Sequence, residues 1–227
     1  MDGKLIVFEG VEGAGKTTQI QQTRAWLETS GLLYSLSPVR EKIPLIVTKE
    51  PGGTSLGRKI RQLLLSENSS SIQDKTELLL YAADRTQHIE EFLKPQLAQG
   101  AIILCDRYTD STVAYQGYGR GLDLNLIEQL NQIATGGLES DLTLWLDVEV
   151  EKGLKRMQQR GNADRIEQAN LEFHQRVQQG FSSLYQKNPQ RIVQVDAGRS
   201  EAEVQTSIQA ILQQKFKAWF QKLSHTS

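Results

Sequence analysis

Gly10-Val11-Glu12-Gly13-Ala14-Gly15-Lys16-Thr17 matches the pattern G-x-x-x-x-G-K-[ST] and decides the fold. Each fixed position has a physical task. Glycines let the backbone turn sharply and bring its N–H groups close to phosphate oxygens. A helix starting near Gly15 points its positive end at the same place. Lys16 reads as a surface-loop residue whose charge reaches the outer phosphates, and the Thr17 hydroxyl as a magnesium ligand. The motif follows the apolar run Leu5-Ile6-Val7-Phe8 and opens a helical pattern, as a phosphate loop requires. Such a loop does not separate a kinase from a hydrolase or a GTP-driven switch. The absence of the guanine-reading N-K-x-D pattern weighs against a GTPase.

Outward from the loop, short apolar runs alternate with longer amphipathic segments. Leu5 to Phe8, Leu45 to Val47, Ala101 to Cys105, Leu142 to Leu146 and Ile192-Val193 read as buried strands. This alternation predicts an α/β fold with about five parallel strands flanked by helices. Val204, Ile208, Ile211, Leu212, Phe216 and Trp219 follow helical spacing, and Thr76 to Leu97 reads as helix with a kink or break before Pro95. The segment from Gly31 to Pro44 reads as a surface loop.

Composition narrows the partners. The chain has 26 Lys+Arg against 27 Asp+Glu, so no basic surface for nucleic acid is expected. An anionic ligand must therefore meet a local cationic cluster. No run approaches the roughly 20 apolar residues of a membrane span. The single cysteine, Cys105, ends an apolar run; it reads as a buried, inert thiol and fits a reducing, cytoplasmic setting. Three scattered histidines lack metal-ligand spacing.

The segment Asp106-Arg107-Tyr108-Thr109-Asp110-Ser111-Thr112-Val113-Ala114-Tyr115-Gln116 follows a predicted strand. Ligands of open α/β sheets collect at the carboxyl ends of strands. There Asp106 can hold a magnesium-bound water, and Arg107 can clamp a phosphate bidentately. The segment resembles the signature of thymidylate kinases, in which Asp-Arg-Tyr/His precedes Ser, a small residue and Tyr-Gln. Thr48-Lys49-Glu50-Pro51-Gly52-Gly53-Thr54 is similar to that family's Arg-Glu-Pro-Gly-Gly-Thr segment, with Lys49 in place of arginine. Tyr81 to Arg85 resembles its aromatic-x-x-x-Arg helix, and Gly153 through Arg160-Gly161 to Glu167 resembles its lid. The phosphate loop carries no arginine while the lid is rich in them, as in the bacterial type; Gln158 interrupts the usual arginine series.

The resemblance implies a nucleoside monophosphate kinase fold, one domain over residues 1–227 with a lid at about 156–167, and phosphorylation of dTMP to dTDP by ATP with magnesium. Another monophosphate kinase or a deoxynucleoside kinase is the alternative. It implies that Arg107 holds the acceptor phosphate and that lid arginines Arg156, Arg160 and Arg165 close over the transferring group. It places Tyr81 and Arg85 at the thymine, Ser111, Thr112, Tyr115 and Gln116 around base and sugar, and Glu12 near the sugar hydroxyl. Tyr81 also has core spacing with Leu78 and Leu79, so a packing role stays open. A homodimer and a cis Glu50-Pro51 bond are further expectations of the family.

Overall fold

A computed structural model describes residues 3–37, 41–66, 72–159, 161 and 165–220. In chain order the elements are β1 (Lys4–Glu9), α1 (Lys16–Thr29), α2 (Leu32–Ser35), β2 (Leu45–Lys49), α3 (Ser55–Leu65) and α4 (Asp74–His88). A π-helical turn (Ile89–Leu93) leads into α5 (Lys94–Ala98), then come β3 (Ile102–Asp106) and α6 (Thr109–Thr112). A second π-helical segment (Val113–Gly119) precedes α7 (Leu124–Thr135), β4 (Leu142–Asp147), α8 (Val150–Gln158), α9 (Leu171–Lys187), β5 (Ile192–Asp196) and α10 (Glu201–Phe220).

The five strands form one parallel sheet in the order β2-β3-β1-β4-β5. The runs expected as strands all sit in it. Alternation sorts their side chains onto two faces. Ile6, Phe8, Ile102, Leu104, Leu142 and Leu144 pack with α1, α9 and α10, while Leu5, Val7, Ile103 and Cys105 pack with Ile89 and Leu93. Leu5 through Phe8 are all fully buried, which explains a run with no polar residue until Glu9.

The order fixes the site. The connection after β1 leads to β2 on one side, and the connection after β3 leads to β4 on the other. The crevice at the carboxyl ends of β1 and β3 is therefore the topological switch point. Phe8 lies beside Asp106 in the register, so the phosphate loop and the Asp106-Arg107 segment emerge side by side.

Two expectations change. The segment after Gly31 is not loop throughout. Gly31, with φ of 71°, opens the helical turn α2, whose Leu33 is buried in the core and accepts a bond from the Ile43 N–H at 3.2 Å. The Leu-Leu pair outweighs the Ser and Pro signals there; residues 38–40 lie outside the described residues. Before Pro95 the helix is not broken but widened. The Lys94 N–H bonds to Ile89 O, a five-residue step, and so absorbs the donor that Pro95 lacks.

Candidate active site

Three glycines shape the loop. Gly10, Gly13 and Gly15 have φ of 144°, 71° and 89°. A Cβ on Gly13 would lie 2.0 Å from the carbonyl oxygen of Gly153 in α8, so the loop and α8 touch backbone to backbone. Gly15 caps α1 with no side-chain acceptor, which leaves the helix N-terminus to an anion.

Lys16 is not on the loop surface. It is buried, and its ammonium donates to Gly10 O at 2.9 Å and Val11 O at 3.0 Å. Burial lowers its pKa, helped by Arg107, while Glu12, Asp106 and Glu9 oppose the shift. The Thr17 hydroxyl donates to Asp106 Oδ2 at 3.4 Å. Asp106 Oδ1 is buried with no partner. A buried carboxylate oxygen left unpaired beside a hydroxyl fits a divalent cation that takes its remaining ligands from phosphates and water. Among the described residues no group of three or more acidic, His or Cys side chains is arranged to hold a metal ion.

Arg107 has a φ of 71°, a left-handed conformation rare for a residue with a Cβ. Neighbouring bonds hold it there. Its N–H donates to Phe8 O at 3.0 Å, and the next N–H, of Tyr108, donates to Glu9 Oε1 at 2.8 Å. Glu9 also accepts from the Ser111 N–H at 3.1 Å and hydroxyl at 2.6 Å. Complete burial drives the Glu9 carboxyl up to about 7 against the pull of Arg107. The Arg107 guanidinium donates to Gly10 O and Ser111 Oγ, each at 3.1 Å, to Tyr115 Oη at 3.0 Å, and to the Glu12 carboxylate. Burial alone would raise the Glu12 carboxyl, but Arg107 and Lys16 outweigh it and hold it down at about 2.

A cleft of about 560 Å³ opens here. Glu12 through Thr17, Tyr81, Arg85, Asp106, Arg107, Ser111, Thr112, Tyr115, Gln116 and Arg156 all line it, as does Lys49. Arg85 is buried, and four of the five N–H donors of its guanidinium are engaged. It donates to Glu50 Oε2 at 2.8 Å, Thr112 Oγ1 and Asn131 Oδ1 at 2.9 Å, and Tyr108 O at 3.0 Å. Behind it, His88 Nδ1 lies 2.9 Å from Glu50 Oε1 and Nε2 2.8 Å from Thr48 Oγ1. Tyr81 is half-buried on the cleft wall; Leu78 is core, but Leu79 is 56 % exposed, so the packing reading loses one of its two partners.

The lid residues divide. Arg156 lines the cleft and donates to Ala197 O at 3.1 Å. Arg165 does not reach it. It donates to Leu64 O at 3.0 Å and pairs with the buried Glu77, because a carboxylate there outcompetes open solvent for the guanidinium. Arg160 and Asp164 lie outside the described residues. Gly10 and Val11 support the loop from beneath rather than lining the cleft. Sequence reading gave no role to Glu9, Glu50, Glu77 or His88. The signal was a lone acid ending an apolar strand, Phe8-Glu9, and charges recurring at helical spacing through Glu77, Asp84 and His88. The Glu50-Pro51 bond is cis, as expected, and Cys105 is a buried free thiol.

A phosphate loop at the switch point and a cation-lined cleft beside it, bridged by one arginine, define a P-loop nucleotide kinase. Comparison with known proteins narrows this. A model of the thymidylate kinase family matches residues 8–208. The chain is 60 % identical to the thymidylate kinase of Cyanothece sp. (strain PCC 7425 / ATCC 29141) over 99 % of both chains. It is 57 % identical to that of Trichodesmium erythraeum (strain IMS101), over 96 % of this chain and 99 % of the relative. The crystal structure of thymidylate kinase from Ehrlichia chaffeensis superposes with a TM-score of 0.72 at 32 % identity, covering 93 % of this chain and 100 % of that one. The chain belongs to the thymidylate kinase family and is a phosphotransferase.

Proposed function

We propose that the chain transfers the terminal phosphoryl group of ATP to dTMP, yielding dTDP, as one kinase unit with residues 156–167 acting as its lid. The observation that carries this reading is Arg107, which spans the donor loop at Gly10 and Glu12 and the acceptor wall at Ser111 and Tyr115. The acceptor phosphate has a second pKa near about 6 and is mostly dianionic at neutral pH. No general base is needed. The task is to bring two polyanions together, which requires positioning and positive charge.

The amides of Gly10 to Gly15 and Lys16 hold the donor phosphates, and Arg107 takes the acceptor phosphate. Thr17, and Asp106 through water, would hold magnesium, which when bound would neutralise charge on the donor phosphates. Glu12 faces the sugar hydroxyl. Tyr81 stacks on the thymine, with Arg85, Ser111, Thr112, Tyr115 and Gln116 around base and sugar. Arg156 and Arg160 bring lid charge to the transferring group. Arg165, in contrast, anchors the lid. Leu56, Leu63, Leu79 and Ile133 are exposed on α3, α4 and α7, which pack in succession, and an apolar face of this kind suits a homodimer. A cytoplasmic location follows from the nucleotide substrates; nucleic acid and membrane are not partners. ATP consumption measured across all nucleoside monophosphates, with and without magnesium, tests the proposal. Magnesium-dependent turnover of dTMP, with dUMP slower and purine monophosphates poor, is expected; preference for AMP, GMP or CMP refutes it.

A further inference from the structure

Glu77 lies off the cleft yet bonds to Gln116, which lines it, and to Arg165 of the proposed lid. It sits in the first turn of α4, fully buried, where an unpaired carboxylate would be costly. Its Oε1 accepts from Gln116 Nε2 at 2.8 Å. Its Oε2 accepts from Arg120 Nη2 at 3.2 Å and from Arg165. Burial pushes the Glu77 carboxyl up, but the bonds from Gln116 and Arg165 and the charge of Arg120 bring it below its ordinary value. Gln116 is 2 % exposed and lines the cleft. Arg165 immediately precedes Ile166 and Glu167, which also line it. Glu77, Tyr81 and Arg85 recur every four residues, so one face of α4 carries all three toward the acceptor side.

We propose that Glu77 is a positioning residue that couples the lid to the acceptor site by holding Gln116 and Arg165 on opposite oxygens of one carboxylate. This rests on the reading of the cleft as the dTMP site. An ionised carboxylate only accepts, so the Gln116 amide must turn its nitrogen to Glu77, which fixes the amide's orientation. Moving either partner strips a bond from a buried charge, so an acceptor that holds Gln116 in place also holds Arg165 in place. The coupling is reciprocal: a lid anchored at Arg165 strengthens acceptor binding by the same factor.

The test is a double-mutant cycle for dTMP affinity by calorimetry, below each variant's melting midpoint. Gln116→Ala, Arg165→Gln and the double variant are made in wild-type and Glu77→Gln backgrounds. Residues joined through one group show interaction energies that correspond to several-fold or greater changes in affinity. A non-additivity of about five-fold in the wild-type background, vanishing with Glu77→Gln, is the result expected. Glu77→Gln alone should weaken dTMP about ten-fold and leave the KM for ATP within about two-fold, since the neutral amide can pair with Gln116 in either flip. Additivity in both backgrounds, or coupling that survives Glu77→Gln, overturns the inference. So does a Glu77→Gln protein that melts earlier but binds dTMP normally. Wild-type protein that binds no dTMP would instead refute the acceptor assignment, and the coupling with it.

Discussion

Arg107 is folded back onto Glu12. The arginine proposed for the acceptor phosphate spends part of its fork on a carboxylate of the donor loop, 95 residues earlier in the chain. Both side chains are less than one fifth exposed, so the pair is little screened. Glu12 thus occupies Arg107 as an incoming phosphate would, and offsets one of the cleft's positive charges before substrate arrives.

That pairing sets a pH dependence. Glu12 has a folded pKa of about 2 against an ordinary 4.5, so its ionised form is favoured in the folded state. The resulting stability is fully present above pH 4.5 and is lost as pH falls from 4.5 toward 2. The shift corresponds to about 3 kcal/mol. Denaturant unfolding of wild type and Glu12→Gln should differ by roughly that amount at pH 7, and the gap should narrow below pH 4.5. A gap independent of pH would mean that Glu12 acts through packing.

Glu9 runs the other way. Its folded pKa lies near 7, above the ordinary 4.5, so it favours the protonated form, and stability falls as pH rises from 4.5 to 7. Glu9→Gln keeps an oxygen for the Tyr108 and Ser111 N–H groups and cannot ionise. The stability of Glu9→Gln relative to wild type should therefore rise across this window by a few kcal/mol at most. A flat difference between pH 4.5 and 7 would show that Glu9 stays ionised throughout.

Much of the fold was legible because strands buried on both faces have little freedom in composition: Leu5 to Phe8 and Ile102 to Cys105 admit almost no polar residue. The phosphate loop was legible because its glycines answer a backbone requirement that no other residue meets. Arg165 was less so. Its number places it in an arginine-rich lid, but its partner, Glu77, lies 88 residues away and is brought to it only by the packing of α4. Glu50 and His88 were hidden for the same reason, since their bond joins a loop to a helix end across 38 residues. Local patterns report the face that an element buries; they carry no information on which distant charge completes a pair.

Arg107 offers a test of backbone strain that is separate from its charge. Arg107→Ala and Arg107→Gly both remove the guanidinium, so both should lower turnover by about 10²-fold or more. They differ in the backbone. Alanine at a φ of 71° retains the left-handed penalty of about 1–2 kcal/mol, whereas glycine does not. Glycine costs roughly 0.5–1 kcal/mol through its freer unfolded chain, so the net advantage to glycine is about 0–1.5 kcal/mol. A more stable alanine variant would show that the segment relaxes out of this conformation.

Lys16→Ala should lower turnover by about 10²–10³-fold, because the ammonium faces charge on the donor phosphates. Its effect on folding should be small despite burial. The two carbonyl bonds that it makes are offset by the desolvation that lowers its pKa. Thermal unfolding without nucleotide should move by only a few degrees. A collapse in melting temperature would make Lys16 a staple of the loop first and a ligand of phosphate second.

Tyr81 separates substrate recognition from packing. It lines the cleft one turn before Arg85 on α4, with Gln116 on the same cavity and Leu79 turned outward. A ring on a cleft wall, flanked by a fixed guanidinium and an amide, suits one face of a flat base. Stacking of a base on an aromatic side chain contributes about 1–3 kcal/mol. Tyr81→Ala should then weaken dTMP binding about ten-fold or more, while the KM for ATP, whose phosphates sit at the glycine loop, stays within about two-fold. Tyr81→Phe keeps the stacking face and should bind dTMP within a few-fold of wild type. Because the ring is half-buried, truncation also removes some packing, at a cost below the roughly 3–5 kcal/mol of a fully buried aromatic. Measuring dTMP affinity and melting temperature on the same samples separates the two. A Tyr81→Ala protein that melts early yet binds dTMP normally while folded would make the ring part of the core, and the thymine would have to find another platform in the cleft.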